Sequence, residues 1–194
     1  TFYGPGIFPE LAEPRTAADD AAAPEASSSA LGFCVRHFLR AVAEPLTPLG
    51  PVGRAPMYAP DAAGIFTDPA TTTPPRLVPT PGWVWLRGGR AQGRLFGGCL
   101  SVMARLGGVR AIAPVWSGRV VFLETALADD DTHGPPLYRV QAAVADLIAQ
   151  GVFEEAAGLV VGRPFGYDSP EARESYMKVI TGLLCEGRLA EKKF

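Results

Sequence analysis

Val120-Val-Phe-Leu-Glu124 is a run of four apolar residues closed by a carboxylate, and its reading decides the fold. An apolar run this short, edged by charge and rich in β-branched and aromatic side chains, predicts a buried strand. Two runs of the same texture lie on either side, Arg94 to Phe96 upstream and Leu159 to Val161 downstream. Helical patterns separate them. Gly97 and Gly98 lead into Leu100 to Leu106. Pro136 then opens a segment with Leu137, Val140, Val144, Leu147 and Ile148 on one side, ended by Gly151. Past the last run, Ser169 and Pro170 with Glu171 in the first turn form an N-terminal signal. They start a helix whose buried stripe is Tyr176, Val179, Ile180, Leu183 and Leu184 and which Gly187 closes. Strands alternating with helices predict an α/β domain with parallel pairing at least in part.

The texture upstream is different. Residues 1–82 read as an N-terminal linker segment with one helix and a Pro-rich loop, and 83–194 as the α/β domain. From Pro9 to Ser29, Ala, Pro, Glu and Asp dominate with little to bury, as in a surface loop or disordered insertion. Ser29 caps a helix carrying Leu31, Val35, Phe38, Leu39 and Val42, which Pro45 and Pro48 stop. Dense prolines from Pro45 to Pro81, with a Thr/Pro tract at Thr71 to Pro75, predict a long loop without regular structure.

With 194 residues, 47% of them hydrophobic, the chain can bury a substantial core. A net charge of -2 from 18 basic and 20 acidic side chains gives no field that gathers nucleic acid or an anionic membrane. No apolar run approaches the roughly 20 residues of a membrane-spanning helix. Cys34, Cys99 and Cys185 are odd in number and far apart, which argues for neither a disulfide framework nor a zinc cluster and fits a reducing, cytoplasmic setting. No metal or cofactor is expected.

Several residues carry candidate chemistry, each with a plainer reading beside it. Glu124, at the carboxyl end of a predicted strand, can orient a catalytic His by accepting its ring N–H, or can simply enter a solvated loop. Gly97 and Gly98, in the stretch Gly88 to Gly98, can leave N–H groups free for an anion, or serve tight turns and close backbone packing. Trp83 and Trp85 are core anchors by default but lie next to the Gly-rich stretch and can line a cleft; Trp116 reads as a core residue. His37 reads as a surface residue of the first helix, and His133 as part of a polar loop after Asp129, Asp130 and Asp131. No Ser stands in a Gly-x-Ser-x-Gly elbow, so the chain offers no self-contained triad.

Together these pieces resemble the LD-carboxypeptidase family, which includes the microcin self-immunity peptidases. The resemblance is carried by Thr1-Phe-Tyr-Gly-Pro5, Gly89-Arg-Ala-Gln-Gly-Arg-Leu-Phe-Gly-Gly98, Val120 to Glu124, Tyr138-Arg139 through Gly151-Val-Phe153, and Gly158-Leu-Val-Val-Gly-Arg163. It implies a swivelling β/β/α-type C-terminal domain of a Ser-His-Glu hydrolase that removes the C-terminal residue of a murein-type peptide or peptidyl conjugate. Glu124 takes the acid's place; Gly97, Gly98, Trp83 and Trp85 are the candidates for contacting substrate, by their place at and before the Gly-rich stretch. The family's Gly-Tyr-Ser-Asp elbow and its Gly-His segment are not among these 194 residues. The expectation is therefore a domain cut short at its end, inert alone, with a nucleophile domain as its missing partner, exposed apolar surface, and a homodimer as a further partner. Cys99 stands where the family usually has Asn, Thr125 stands in place of an acidic residue, and Ala126 to Pro136 lengthens the turn after Glu124. The loop before Trp83 does not reproduce the Trp-bearing loop of microcin-cleaving members, which argues against an acyl-nucleotide substrate.

Overall fold

The computed structural model describes residues 33–43, 53–58, 68, 70, 76–107, 109, 111, 115–126, 128 and 133–192. The chain divides into two units, Thr1–Gly82 and Trp83–Phe194. Thr1 to Pro5, the segment from Pro9 to Ser29, Leu31, Pro45, Pro48, Thr71 to Pro75 and Asp129 to Asp131 lie outside the described residues.

In the first unit, helix α1 (Phe33–Ala43) forms where the apolar spacing predicts it, and none of its residues is fully buried. Regular structure also occurs where the prolines argue against it. Met57–Tyr58 (β1) pairs antiparallel with Val78–Pro79 (β2), and Thr80 N–H donates to Pro56 O at 3.0 Å. Pro79 is tolerated because proline can occupy the edge of so short a ladder.

The second unit is a three-stranded parallel sheet in the order β3 (Arg94–Cys99), β4 (Arg119–Glu124), β5 (Gly158–Val161). Helix α2 (Leu100–Leu106) leads from β3 towards β4, while α3 (Leu137–Ala149) and α4 (Val152–Glu155) lead from β4 to β5. Helix α5 (Pro170–Leu184) and a 3-10 turn (Gly187–Leu189) follow. Each predicted strand is present, extended by one to three residues because the register of the parallel ladder continues past the apolar run. The caps obey the expected chemistry. Ser169 Oγ accepts from Ala172 N–H at 3.1 Å with Pro170 in the first turn, and Gly151 takes a left-handed φ of 77° behind α3. The end of α5 differs: the helix stops at Leu184, and Gly187, at φ 61°, begins the 3-10 turn rather than closing the helix. The Arg87 guanidinium donates to the Leu184, Leu189 and Lys192 carbonyls, which satisfies chain-end acceptors that the helix leaves open.

Strand alternation sorts the sheet into two faces. Val121 and Leu123 point into a core built with Leu100, Met103, Val140, Val144, Leu147, Phe153, Tyr176, Ile180 and Leu184, and Phe96, Leu159 and Val161 pack against it. The intervening residues turn the other way, where Leu95 is 67% exposed and Val160 is also exposed. Exposed apolar surface is thus present, as expected. At Gly97 an added Cβ would stand 1.8 Å from Phe122 O, so only glycine allows β3 to approach β4 this closely. No helix among the described residues is long and apolar enough to cross a membrane.

A one-sided core makes a simple prediction. Leu147, fully buried, should lose about 2–5 kcal/mol of stability as Leu147→Ala. Leu95→Ala, on the exposed face, should cost less than about 1 kcal/mol. Urea unfolding of both variants checks this, and equal losses would contradict the one-sided core.

Candidate functional site

Because β3 and β4 run parallel, their carboxyl ends lie at one edge of the sheet, where Cys99 and Glu124 are register partners. Open α/β sheets place ligands at this edge. Glu124 closes β4, as its position after the apolar run predicts, and by alternation lies on the face opposite the helices, with Phe122. Its carboxylate is only half accessible. The Oε2 atom is shut off from solvent and has no hydrogen-bond partner among the described residues, His133 included. Desolvation by burial raises its pKa above the ordinary glutamate value, and no donor among the described residues compensates the charged form.

Cys99 sits against the first turn of α2. Burial acts to raise the pKa of its thiol, but the hydrogen bonds it accepts outweigh this and hold it below the ordinary cysteine value. They come from the Ser101 hydroxyl and from the backbone N–H groups of Val102, Ser101 and Ala126. Cys99 Sγ lies 3.3 Å from Ser101 Oγ. The same geometry bears on the paired glycines. Gly97 and Gly98 lie inside β3 rather than in a turn, and the first N–H groups of α2 are already directed at Cys99 Sγ. Close backbone packing is what Gly97 provides, with Phe122 O in the space of a side chain.

Thr125, the residue after Glu124, is 3% exposed and is the one buried polar residue among those described. Its hydroxyl lies 2.7 Å from Tyr176 Oη, and its carbonyl accepts from Phe165 N–H at 2.9 Å. Tyr176 stacks against Tyr167 with centroids 5.1 Å apart, and Tyr167 Oη donates to Pro135 O. The apolar stripe places Tyr176 in the core, but its hydroxyl partner lies 51 residues away and no local pattern announces it. The one available signal is the hydroxyl residue standing next to Glu124.

The tryptophans separate. Trp83 and Trp85 are 71% and 76% exposed, which corrects the default of core anchors: they precede β3 on a stretch without regular structure. Trp116 does pack at the core edge, edge-on to Phe96 at 5.5 Å. His37 is half-buried with its ring 4.2 Å from Phe33. Burial, then Arg40 and Arg36, lower its pKa. His133 is exposed, and its carbonyl accepts from Ala128 N–H, which pins the base of the long turn after Glu124. No group of three His, Cys, Asp or Glu side chains among the described residues is gathered to hold a metal ion.

The domain that carries this sheet and helix layer matches one family. Its profile, the LD-carboxypeptidase C-terminal domain, matches residues 92–190, just over half of the chain, and the chain belongs to the LD-carboxypeptidase family through this domain. A Vibrio cholerae protein named for carboxypeptidase activity is 25% identical over 104 residues, which are 54% of this chain and 29% of that protein. The MccF-like protein of Bacillus anthracis superposes with a TM-score of 0.56 at 19% identity, covering 77% of this chain and 42% of that one. The MccF-like protein of Streptococcus pneumoniae, solved in complex with AMP, gives 0.51 at 21% identity, covering 66% and 41%. These likenesses show the fold, an α/β architecture as expected, and the chain spans less than half the length of each of these proteins.

The environment of Glu124 has a measurable consequence. Its pKa is raised in the folded state, so its contribution to stability is full below the unfolded value, about 4.3, and is lost as pH rises through the folded value. Glu124→Gln should therefore melt higher than wild type near pH 7, with the gap closing as pH falls towards the unfolded value. Thermal unfolding across that range checks the sign; a variant less stable at neutral pH would show that the carboxylate is compensated.

Proposed function

We propose that this domain supplies the acid of a Ser-His-Glu triad, Glu124, to a serine carboxypeptidase that hydrolyses the C-terminal amide of L,D-linked, murein-type or related peptides. The observation that carries this reading is the Glu124 carboxylate itself, with an atom buried and unpartnered at the carboxyl edge of a parallel sheet. Such an oxygen is an acceptor suited to an imidazole N–H. In a triad of this kind the serine attacks the carbonyl, the histidine takes and returns its proton, and the acid holds the imidazole in the working tautomer. An N–H donor there would also offset the desolvation that raises the carboxyl pKa.

The chain alone is then inactive, because the Gly-Tyr-Ser-Asp elbow and the Gly-His segment that carry the other two roles in the family are not in its 194 residues. Its first partner is a nucleophile domain. The exposed apolar residues on the sheet's free face support this, since parallel sheets are ordinarily covered on both faces. Gly97 and Gly98 act in this reading by shaping the cleft floor, and the exposed Trp83 and Trp85 by contacting peptide. The three cysteines, none of them in a disulfide, support a reducing, cytoplasmic setting.

The test is hydrolysis of an L,D-linked tetrapeptide by this chain and by a protein joining it to the Ser- and His-bearing segments, each with a Glu124→Ala control. Activity is expected only in the joined protein, falling roughly 10⁴-fold in its Glu124→Ala variant. Activity in the chain alone would sink the triad assignment. Inactivity of every form would favour a non-catalytic binding or assembly module on the same fold.

A further inference from the structure

Glu124 lies between two residues that are both tied down. Leu123 O accepts from Gly162 N–H at 2.8 Å, and Thr125 O accepts from Phe165 N–H at 2.9 Å, so the segment after β5 runs alongside the end of β4. The side chain of Thr125 adds a third restraint. By alternation it enters the helix side with Val121 and Leu123, and there its hydroxyl meets Tyr176 Oη at 2.7 Å. Tyr176 is itself held on α5 by the Tyr167 ring, and Tyr167 by the carbonyl of Pro135 just ahead of α3. The restraint therefore runs from the residue next to Glu124 to α5 and on to both loops that border the sheet edge.

We infer that the buried Thr125–Tyr176 hydroxyl pair is a positioning device for Glu124, fixing the direction in which its carboxylate leaves the sheet; this rests on the triad role proposed for Glu124. If the pair merely filled the core, two apolar residues of the same shape would serve as well, because replacing both partners of a buried hydrogen bond is nearly neutral for stability. A directional role differs. The hydrogen bond fixes the rotation of Thr125 about its backbone, and with it the peptide plane shared with Glu124, in a way that a methyl group against a phenyl ring does not. Both members are positioning residues, since neither touches substrate in this reading.

The distinction is open to experiment. In the 194-residue chain, the carboxyl carbon of Glu124 is titrated by NMR in wild type, in the double variant Thr125→Val/Tyr176→Phe and in Thr125→Ser. In the joined protein, kcat and KM are measured for the same set on the L,D-linked tetrapeptide. The double variant should stay folded with a melting temperature close to wild type. Its Glu124 titration should move towards that of a free glutamate, and its kcat should fall about tenfold to a hundredfold with KM unchanged. Thr125→Ser, which keeps the hydroxyl, should restore both readouts. Tyr176→Phe alone replaces the double variant if the latter does not fold. A Glu124 titration identical to wild type in the variant that lacks the hydrogen bond would overturn the proposal. If no joined protein, wild type included, hydrolyses the peptide, the hydrolase reading falls, and the titration alone still decides whether the pair holds Glu124.

Discussion

At Gly97 the backbone of β3 comes so close to β4 that the carbonyl of Phe122 occupies the space of a missing side chain. That approach sets the pairing along the rest of the ladder. With Gly97 opposite Phe122, Gly98 falls opposite Leu123 and Cys99 opposite Glu124. A slip by one residue would exchange the faces of every side chain on the strand. Phe96 would leave the core and Leu95 would enter it, and the thiol and the carboxylate would no longer be partners at the edge. A glycine that looks like a ligand loop in one dimension is, in three, the residue that makes the register hold.

The sheet so formed is packed on one face by α2, α3, α4 and α5, and this asymmetry gives Glu124 its character. Val121 and Leu123 are buried among the helices, while Glu124 projects with Phe122 from the other side. It is buried enough to lose solvation at one oxygen but is not paired there. Burial of a charge without a partner is unfavourable, and the raised pKa expresses that cost. Cys99, one strand away, has the opposite outcome from a similar degree of burial, because three N–H groups and a hydroxyl converge on its sulfur. The two register partners therefore differ not in how deep they lie but in whether donors reach them.

Much of this was legible in the sequence, for reasons that differ from element to element. The three apolar runs and the helical stripes are local patterns, and local patterns survive translation into structure when burial is one-sided; the Ser169-Pro170 start of α5 is local in the same sense. The placing of Glu124 comes from its position at the end of a run. What failed was non-local or too short. A ladder of two residues per strand, such as β1 and β2, has no periodicity to detect. Trp83 and Trp85 belong in the core by hydrophobicity alone, yet they lie on a segment that no strand or helix carries inward. The Thr125–Tyr176 bond joins residues that share no element.

That bond bears on how the strand end beside Glu124 is held. A carboxylate beside Glu124 would repel it, and a second acid buried behind the strand would need a donor of its own. Thr125 brings no such repulsion and finds its partner in Tyr176, so the strand end has a polar anchor at no cost in charge. The same hydroxyl pair reaches, through Tyr167, to the carbonyl of Pro135, just ahead of α3. A longer turn beside the sheet edge costs little closure entropy, but it needs a fixed base if the residue before it is to keep one direction. The side chain of Thr125 and the carbonyl of Pro135 are thus tied together through the same two tyrosines.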